Sequence, residues 1–218
     1  MTASEQRSRV RRGTLSHARV VDAALVLIDA EGVDALSMPK LARHLGVGVM
    51  SLYTHVKSKD ALLDAVVERV LSELPEPRGD DWRARLRSHF GDLRAALVAH
   101  PGLGMVLASK NVAVPAVFDV LERALGDLTA AGLPDQESAH LYYDLLVYTI
   151  GFVAWELPRT HAIPQAEYAS RWRSAIASLD EARYPTLHQL ADALTTVATD
   201  QQFHDGIDRI ILSAAPAL

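Results

Sequence analysis

The segment 37–59 contains two short helical patterns separated by a glycine, and it constrains the fold more than any other part of the chain. Ser37 is a favourable N-cap, and Pro39 lies in the first helical turn, where its missing N–H is tolerated. The apolar spacing predicts a helix over about 38–44. Gly46 can adopt a positive φ, which lets the chain leave this helix in a tight turn.

A second short helix is predicted over 48–54, with Leu52 and then Val56 facing the interior. Its outer surface mixes apolar and hydrogen-bonding groups, which suit base edges, thymine methyl groups and phosphates. Lys57 and Lys59 follow near the start of the next helix, in positions that suit an external anion. Two short helices joined by such a turn are typical of a DNA reader, although helical proteins of other functions also contain them.

Residues 45–47 and 51–65 make the pattern more specific. They read LGV and SLYTHVKSKDALLDA, which closely resembles the tetracycline-repressor (TetR) family. In that family a helix-turn-helix is followed by a Tyr, an aromatic residue or His, and a Lys that opens the fourth helix. The resemblance implies a repressor that binds a palindromic double-stranded DNA operator as a homodimer and is released by a small molecule.

The same resemblance assigns DNA contacts to residues of this segment. Base contacts are expected from Val49, Met50, Ser51 and Tyr53. Phosphate contacts are expected from Tyr53, Thr54, His55 and Lys59, with Ser37 and Lys40 as outlying contacts. The sequence departs from the tetracycline repressors at Pro39 and Val49, where they carry arginine and glutamine. We therefore expect this chain to read a different operator.

The charge distribution agrees with DNA binding through one end. The formal net charge is -5, but residues 1–59 hold nine Lys or Arg against five Asp or Glu, and residues 60–218 hold thirteen against twenty-two. A basic head on an acidic body is the expected arrangement. The N-terminal arm adds a cluster of arginines that suits either a DNA minor groove or a solvated tail. These are Arg7, Arg9, Arg11 and Arg12.

Helical periodicity extends along the rest of the chain, without a convincing strand pattern. The fold class is therefore predicted to be all-α, with a three-helix helix-turn-helix head and a larger helical body. The proline-rich stretch 75–80 is the best domain boundary. We expect an arm over 1–15, a DNA-binding domain with its connecting fourth helix over 16–74, and an effector-binding and dimerisation domain over 80–218. The helices outside the reader are predicted over 16–31, 60–74, 82–100, 105–109, 115–131, 136–157, 164–179, 186–197 and 200–214.

The TetR resemblance extends more weakly into the body, through Trp82, the segment 94–101, Ala131-Gly132-Leu133 and the ending 203–211. It implies that the helices predicted over 136–157 and 200–214 pack against the same pair of a second subunit as a four-helix bundle. The same apolar faces would also suit the core of a monomer. The residues expected at the dimer interface are Leu146, Ile150, Phe203, Ile207, Ile210 and Ile211.

The resemblance also implies an effector pocket between the middle helices. The residues expected to line it are His89, Leu93, Leu107, Phe118, Tyr142, Val147, Phe152 and Trp155. Leu107 stands where tetracycline repressors carry a metal-coordinating histidine, and Val147 and Trp155 replace polar drug contacts. These replacements argue against a magnesium-tetracycline complex. We expect an apolar, aromatic or polyketide-like ligand instead.

Other classes of protein find little support. The chain has no cysteine, and no His-x-x-x-His pair or Gly-x-Ser-x-Gly elbow occurs, so we expect no enzyme, metal site or cofactor. No apolar segment follows the N-terminal arginines, and the apolar stretch 141–157 is interrupted by Asp144, so we expect a cytoplasmic protein that does not span a membrane. The alternatives are a helical protein-interaction adaptor and a TetR-like regulator without an effector.

Overall fold

The computed structural model describes residues 15–160, 163–196 and 198–214. Within these ranges the chain forms α-helices and a short 3₁₀ turn, Val33–Ala35, without a strand, so the predicted all-α class is confirmed. The N-terminal arm lies outside the described residues, apart from Leu15. The helices are α1 His17–Glu31, α2 Met38–Leu45, α3 Val49–Tyr53, α4 Lys59–Leu71, α5 Trp82–Ala99, α6 Pro101–Ser109, α7 Pro115–Ala130, α8 Asp135–Thr160, α9 Gln165–Ala177, α10 Pro185–Gln189, α11 Ala191–Thr195 and α12 Asp200–Ser213.

Side-chain caps fix where the helices of the head begin. The Oγ of Ser16 accepts a hydrogen bond from the Arg19 N–H at 3.2 Å, and the Oγ of Ser58 accepts one from the Ala61 N–H at 3.0 Å. Such caps satisfy backbone donors that have no partner within the helix. At the C-terminal end of α2, Gly46 has φ 68° and its N–H donates to carbonyls of that helix. The tight turn predicted between the two reader helices is therefore formed by this glycine.

Four predicted helices differ from the structure by three residues or more, or in number. Helix α4 ends at Leu71 rather than at residue 74. Helix α6 begins at Pro101 rather than at residue 105, because proline is tolerated at the first helical position and opens this helix instead of only ending the previous one. Helix α8 continues to Thr160 and contains Pro158. The helix predicted over 186–197 is two short helices, α10 and α11, which meet at Leu190.

In the body, α5 packs against α7, α8 and α12. Arg94 links α5 to both α8 and α12. Its guanidinium donates to both carboxylate oxygens of Glu156 in α8, at 2.9 and 2.5 Å, and to Asp200 of α12 at 2.8 Å. The same group lies over the ring of Phe203, 4.9 Å from its centroid. A half-buried arginine with bidentate pairing fixes the relative positions of α5, α8 and α12.

The head and body share one continuous hydrophobic core. Helix α6 packs on α1 and α4, and α7 packs on α4. Gly102 of α6 lies directly against Ile28 of α1, and the Nδ1 of His100 lies 2.8 Å from a carboxylate oxygen of Asp29. The junction between head and body is therefore a packed interface, in which α6 is the central element.

His89 lies in the core of the body and not on an open surface. Its side chain is 2% exposed and makes an edge contact with Phe90 at 4.9 Å between ring centroids. Burial and the positive charge of Arg123 lower the pKa of His89 from 6.5 to about 4, and Asp92 and Asp127 act in the opposite direction. The imidazole is therefore neutral at pH 7.

We expect Gly102→Ala to lower the free energy of unfolding by about 1–3 kcal/mol. A Cβ at this position would lie 2.1 Å from the Ile28 Cγ2 and 2.8 Å from the Ile28 carbonyl oxygen, so α6 would have to move away from α1. Gly104→Ala is the matched control in the same helix, since the nearest atom to its added Cβ is 4.0 Å away. Urea denaturation compares the two. Equal stabilities would contradict the close approach of α6 to α1.

Burial of His89 also predicts a loss of stability in acid. Because the folded-state pKa of about 4 lies below the ordinary value of 6.5, the unfolded chain takes up the proton first as the pH falls through this window. The resulting loss is about 2 kcal/mol by pH 5. In His89→Leu the fall in unfolding free energy between pH 7 and pH 5 should be smaller by about that amount. An unchanged fall, measured by urea denaturation at both pH values, would refute the neutral buried state of His89.

Candidate DNA interface and effector pocket

Helix α3 presents a mostly exposed face, fixed by two buried anchors. Leu52 is 0% exposed and Val56 is 4% exposed, as the apolar pattern predicts. On the outer side, Met50 is 77% exposed and Tyr53 is 45% exposed, with Ser51 and Thr54 also exposed. The Thr54 hydroxyl donates to the Ser51 carbonyl at 2.7 Å, which holds the end of the helix. The surface thus offers a thioether, a phenol and hydroxyls to a partner.

Two residues predicted on this surface are less accessible. Val49 is half-buried and packs against the core, so only part of its side chain is open to a base. His55 is also half-buried. Val49 is the first residue of α3, and His55 lies just beyond its end. The sequence pattern alone does not show how far the neighbouring helices cover them.

The predicted phosphate contacts differ in whether their groups are free. The Lys59 ammonium donates to the Val33 carbonyl at 3.1 Å, and the Lys40 ammonium pairs with Glu31 at 2.5 Å. The Ser37 hydroxyl caps α2 by accepting from the Lys40 N–H at 3.4 Å. Lys57 is exposed and has no hydrogen bond or ion pair with another described residue. It is therefore the lysine beside α3 whose charge is available to an external phosphate.

A cavity of about 340 Å³ lies between the end of α6, the connection 110–114, α7 and α8. Its volume is in the range of small-molecule sites, and its walls are mainly apolar and aromatic. Burial, with the neighbouring Tyr143, raises the pKa of Tyr142 above its ordinary value, so this phenol stays neutral. The residues that line the cavity are Leu107, Lys110, Asn111, Val112, Ala113, Val117, Phe118, Leu121, Tyr142, Tyr143, Leu146 and Ile150.

The sequence-predicted effector residues are only partly gathered here. Leu107, Phe118 and Tyr142 line the cavity. His89 and Leu93 are each 2% exposed within the core of the body, and Phe152 makes an edge contact with Phe203, with ring centroids 5.3 Å apart. Val147 is 68% exposed and Trp155 is 38% exposed on the outside of α8. The other five predicted residues do not line the cavity.

Several lining residues were missed or expected elsewhere. Leu146 and Ile150, expected at a dimer interface, follow Tyr142 at intervals of four and therefore share its face of α8. That spacing was a usable signal. The connection from Lys110 to Ala113 carries no periodic pattern, so only the fold brings it to the cavity.

The other residues expected at the dimer interface lie mainly inside the protomer. Phe203 and Ile207 are 0% exposed and Ile211 is 3% exposed, while Ile210 is half-buried. They form the face of α12 that packs against α5 and α8. Among the large apolar side chains of α8 and α12, Val147 and, at 65% exposure, Leu212 are instead the most exposed.

The described residues contain neither a group suited to a metal ion nor a helix suited to span a membrane. No group of three or more His, Asp and Glu side chains is placed to hold a metal ion. None of the helices within those residues has the length and apolar character needed to cross a membrane.

Comparison with known proteins gives matches at both ends of the chain. The family model described as "Bacterial regulatory proteins, tetR family" matches residues 20–66. The model described as "Tetracyclin repressor-like, C-terminal domain" matches residues 74–213. Together they cover the head with α3 and the body with the cavity.

Individual relatives agree with the family models. The HTH-type transcriptional repressor DrrR1 of Streptomyces coeruleorubidus is 34% identical over 217 residues, which cover 94% of this chain and 78% of the relative. The tetracycline repressor protein class A from transposon 1721 of Escherichia coli is 33% identical over 174 residues, with 75% and 80% coverage. The crystal structure of the Streptomyces coelicolor TetR family protein ActR in complex with actinorhodin superposes with a TM-score of 0.79 at 31% identity, covering 92% of this chain and 96% of that chain. The chain therefore belongs to the TetR family of helix-turn-helix transcriptional regulators, which are DNA-binding repressors and not enzymes.

Proposed function

We propose that this protein represses transcription by binding a palindromic operator as a homodimer, and that a small aromatic molecule in the cavity of the body releases it. The observation that carries the proposal is the position of the cavity. Its walls include α6, which packs on α1, and α7, which packs on α4, while α3 presents an open face on the head.

In this proposal α3 enters the major groove. Met50, Ser51 and Tyr53 contact base edges, with the accessible part of Val49 beside them. Thr54, His55 and the exposed Lys57 contact phosphates, which supply most of the affinity. Lys59, Lys40 and Ser37 hold the helices in place through the bonds described above, and any contact they make with phosphate requires those bonds to change.

Dimerisation uses the outer faces of α8 and α12. Val147 lies on the same side of α8 as Gly151 and Ala154, and all three are exposed. On α12 the corresponding open apolar residue is Leu212. An apolar face shared by two adjacent helices is suited to a two-fold contact in which each helix meets its copy. The two-fold axis then presents two α3 helices to one palindrome.

The cavity favours a flat and largely apolar ligand. Leu107 and Phe118 supply apolar walls, and Tyr142 supplies a neutral hydroxyl. The similar protein ActR was crystallised with actinorhodin, and this supports an aromatic polyketide-like ligand here. No His, Asp or Glu occurs among the described residues that line the cavity, so a metal-tetracycline complex lacks the ligands it would need.

The release step follows from how α7 meets the head. The Glu68 carboxylate of α4 accepts a hydrogen bond from the Ala116 N–H at 2.8 Å, in the first turn of α7. Phe118, two residues further along, lines the cavity. A ligand that displaces this turn also displaces α4. Because α4 directly follows α3 in the chain, α3 moves with it. The spacing of the two reading helices then no longer fits successive major grooves.

Selection of genomic DNA fragments by the purified protein tests the function as a whole. The proposal predicts recovery of fragments that share a palindrome, bound by two chains per site. Addition of aromatic compounds to the recovered complex should identify at least one that releases the DNA. Recovery of fragments without a common palindrome, or the absence of any bound fragment, would contradict the proposal.

Lys57→Gln should weaken binding to operator and to arbitrary duplex DNA alike. Each of the two protomers loses one phosphate contact, so the slope of log affinity against log salt falls in magnitude by about two, with an affinity loss of roughly tenfold to a hundredfold. The midpoint of thermal unfolding should not change, because this exposed side chain makes no hydrogen bond or ion pair with another described residue. Fluorescence anisotropy over a salt series measures both quantities.

Two variants serve as comparisons. Lys59→Gln removes the bond to the Val33 carbonyl and should lower stability by about 0.5–1.5 kcal/mol. Arg183→Gln removes one positive charge from the body and should leave the salt slope unchanged. A Lys57→Gln slope equal to that of the unmodified protein would remove Lys57 from the interface.

Val147→Asp should convert the dimer into a folded monomer, since it places a charge at the centre of the proposed contact. Val26→Asp is the matched control, because Val26 is a valine of α1 with 56% exposure on a different surface. Sedimentation velocity at micromolar concentration should find dimers for the unmodified protein and for Val26→Asp. A dimer that survives Val147→Asp would place the interface elsewhere.

A further inference from the structure

Lys110 connects the cavity to the DNA-binding head. It caps the C-terminus of α6 and lines the cavity. Its ammonium lies 3.0 Å from a carboxylate oxygen of Asp60 and 3.5 Å from one of Asp64, both on α4. It also donates to the Asp60 carbonyl at 3.4 Å. Among the described residues that line the cavity, Lys110 is the one that carries a charge.

The two carboxylates lie at the end of α4 that follows the reading helix. Asp60 is in the first turn of α4, with Lys59 beside it and Lys57 three residues earlier. The carboxylates oppose the positive potential that attracts DNA phosphates, and the Lys110 ammonium offsets part of their charge. The body thus supplies a positive charge to the head.

We propose that the cavity takes an anionic aromatic ligand, whose acid group draws Lys110 away from Asp60 and Asp64 and so weakens DNA binding. This inference rests on the proposed function and names the chemistry of its ligand. The aromatic part lies against Phe118 and Tyr142, and the acid group reaches Lys110 at the edge of the cavity. Release of DNA then has an electrostatic component besides any change in spacing.

The exchange of partners is energetically accessible. The Asp60 side chain is 81% exposed and that of Asp64 is 41% exposed, and ion pairs with such exposed groups contribute little to stability. Water also screens the repulsion between these carboxylates and the ligand. At the edge of the cavity the Lys110 side chain is 24% exposed, so its ammonium meets a ligand carboxylate with less water around it than in solution, which strengthens a charge-assisted hydrogen bond. After Lys110 moves away, the Asp60 carboxylate still interacts favourably with the positive N-terminal end of α4.

Matched pairs of probes test the ligand chemistry. Naphthalene-2-carboxylate and anthraquinone-2-carboxylate are compared with their primary carboxamides, which have nearly the same shape without the charge. We expect at least one acid to bind the unmodified protein about tenfold more tightly than its amide, as measured by calorimetry. The preference should disappear in Lys110→Met, which keeps the apolar stem. If no acid is preferred over its amide, including the case in which no probe binds, the proposal is overturned.

DNA affinity without any ligand tests the electrostatic component. Lys110→Met should bind a short duplex of arbitrary sequence about threefold more weakly at low salt. In the Asp60→Asn, Asp64→Asn background the same substitution should have no effect, because the charges it offsets are gone. An equal loss in both backgrounds, or no loss in either, contradicts the role of Lys110. Circular dichroism at the assay temperature verifies that each variant is folded.

The outcomes separate this inference from the proposed function. A neutral compound that binds in the cavity and releases operator DNA, with no acid preferred, supports an effector-controlled repressor and overturns the anionic ligand. Failure of the unmodified protein to bind any duplex overturns the proposed function itself. An acid preference that persists in Lys110→Met places the recognition of the acid on another residue and overturns the assignment to Lys110.

Discussion

The close contact of α6 with α1 determines how the head and the body are held together. Gly102 lets the backbone of α6 approach Ile28 more closely than any residue with a Cβ would allow. The contact joins the head to the body as one packed core, with Leu103 and Val106 both 0% exposed. A head attached by a flexible connection would not respond to the body. A packed interior transmits a displacement.

The two sides of α6 have different partners, and this gives the fold its regulatory geometry. Gly102 faces α1, and Leu107 lines the cavity five residues later. At 3.6 residues per turn these positions are about 140° apart around the helix. A ligand against Leu107 therefore acts on a helix whose opposite side lies on the DNA-binding head. The bonds of α4 to Ala116 and Lys110 provide two further connections between the cavity wall and the head.

Local sequence features predicted the head well. Ser37, Gly46 and Leu52 act through neighbours within a few residues, so their roles follow from capping, φ preference and helical spacing. Long-range contacts were not accessible in this way. The bond of Lys59 to the Val33 carbonyl joins residues far apart in the sequence, and no local pattern indicates that this ammonium is already engaged.

The body was predicted less well, because α8 has three different faces. Tyr142, Leu146 and Ile150 face the cavity, Tyr148 and Phe152 face Phe203 of α12, and Val147 faces outward. All of these residues are apolar or aromatic, so hydrophobicity does not distinguish a cavity wall from a core or a dimer contact. Only the packing of the neighbouring helices assigns each face.

If filling the cavity changes the position of the head, the distance between the two heads of a dimer changes with it. The chain has no cysteine, so His44→Cys provides one spin label per protomer on an exposed residue of α2. Leu107→Trp fills the cavity from within, and Leu107→Met keeps its volume. We expect the distances measured by double electron–electron resonance in the Leu107→Trp protein to differ by several ångström, on the order of a subunit-interface shift, from those in the Leu107→Met protein. Identical distance distributions in two equally folded dimers would contradict this coupling of the cavity to the head.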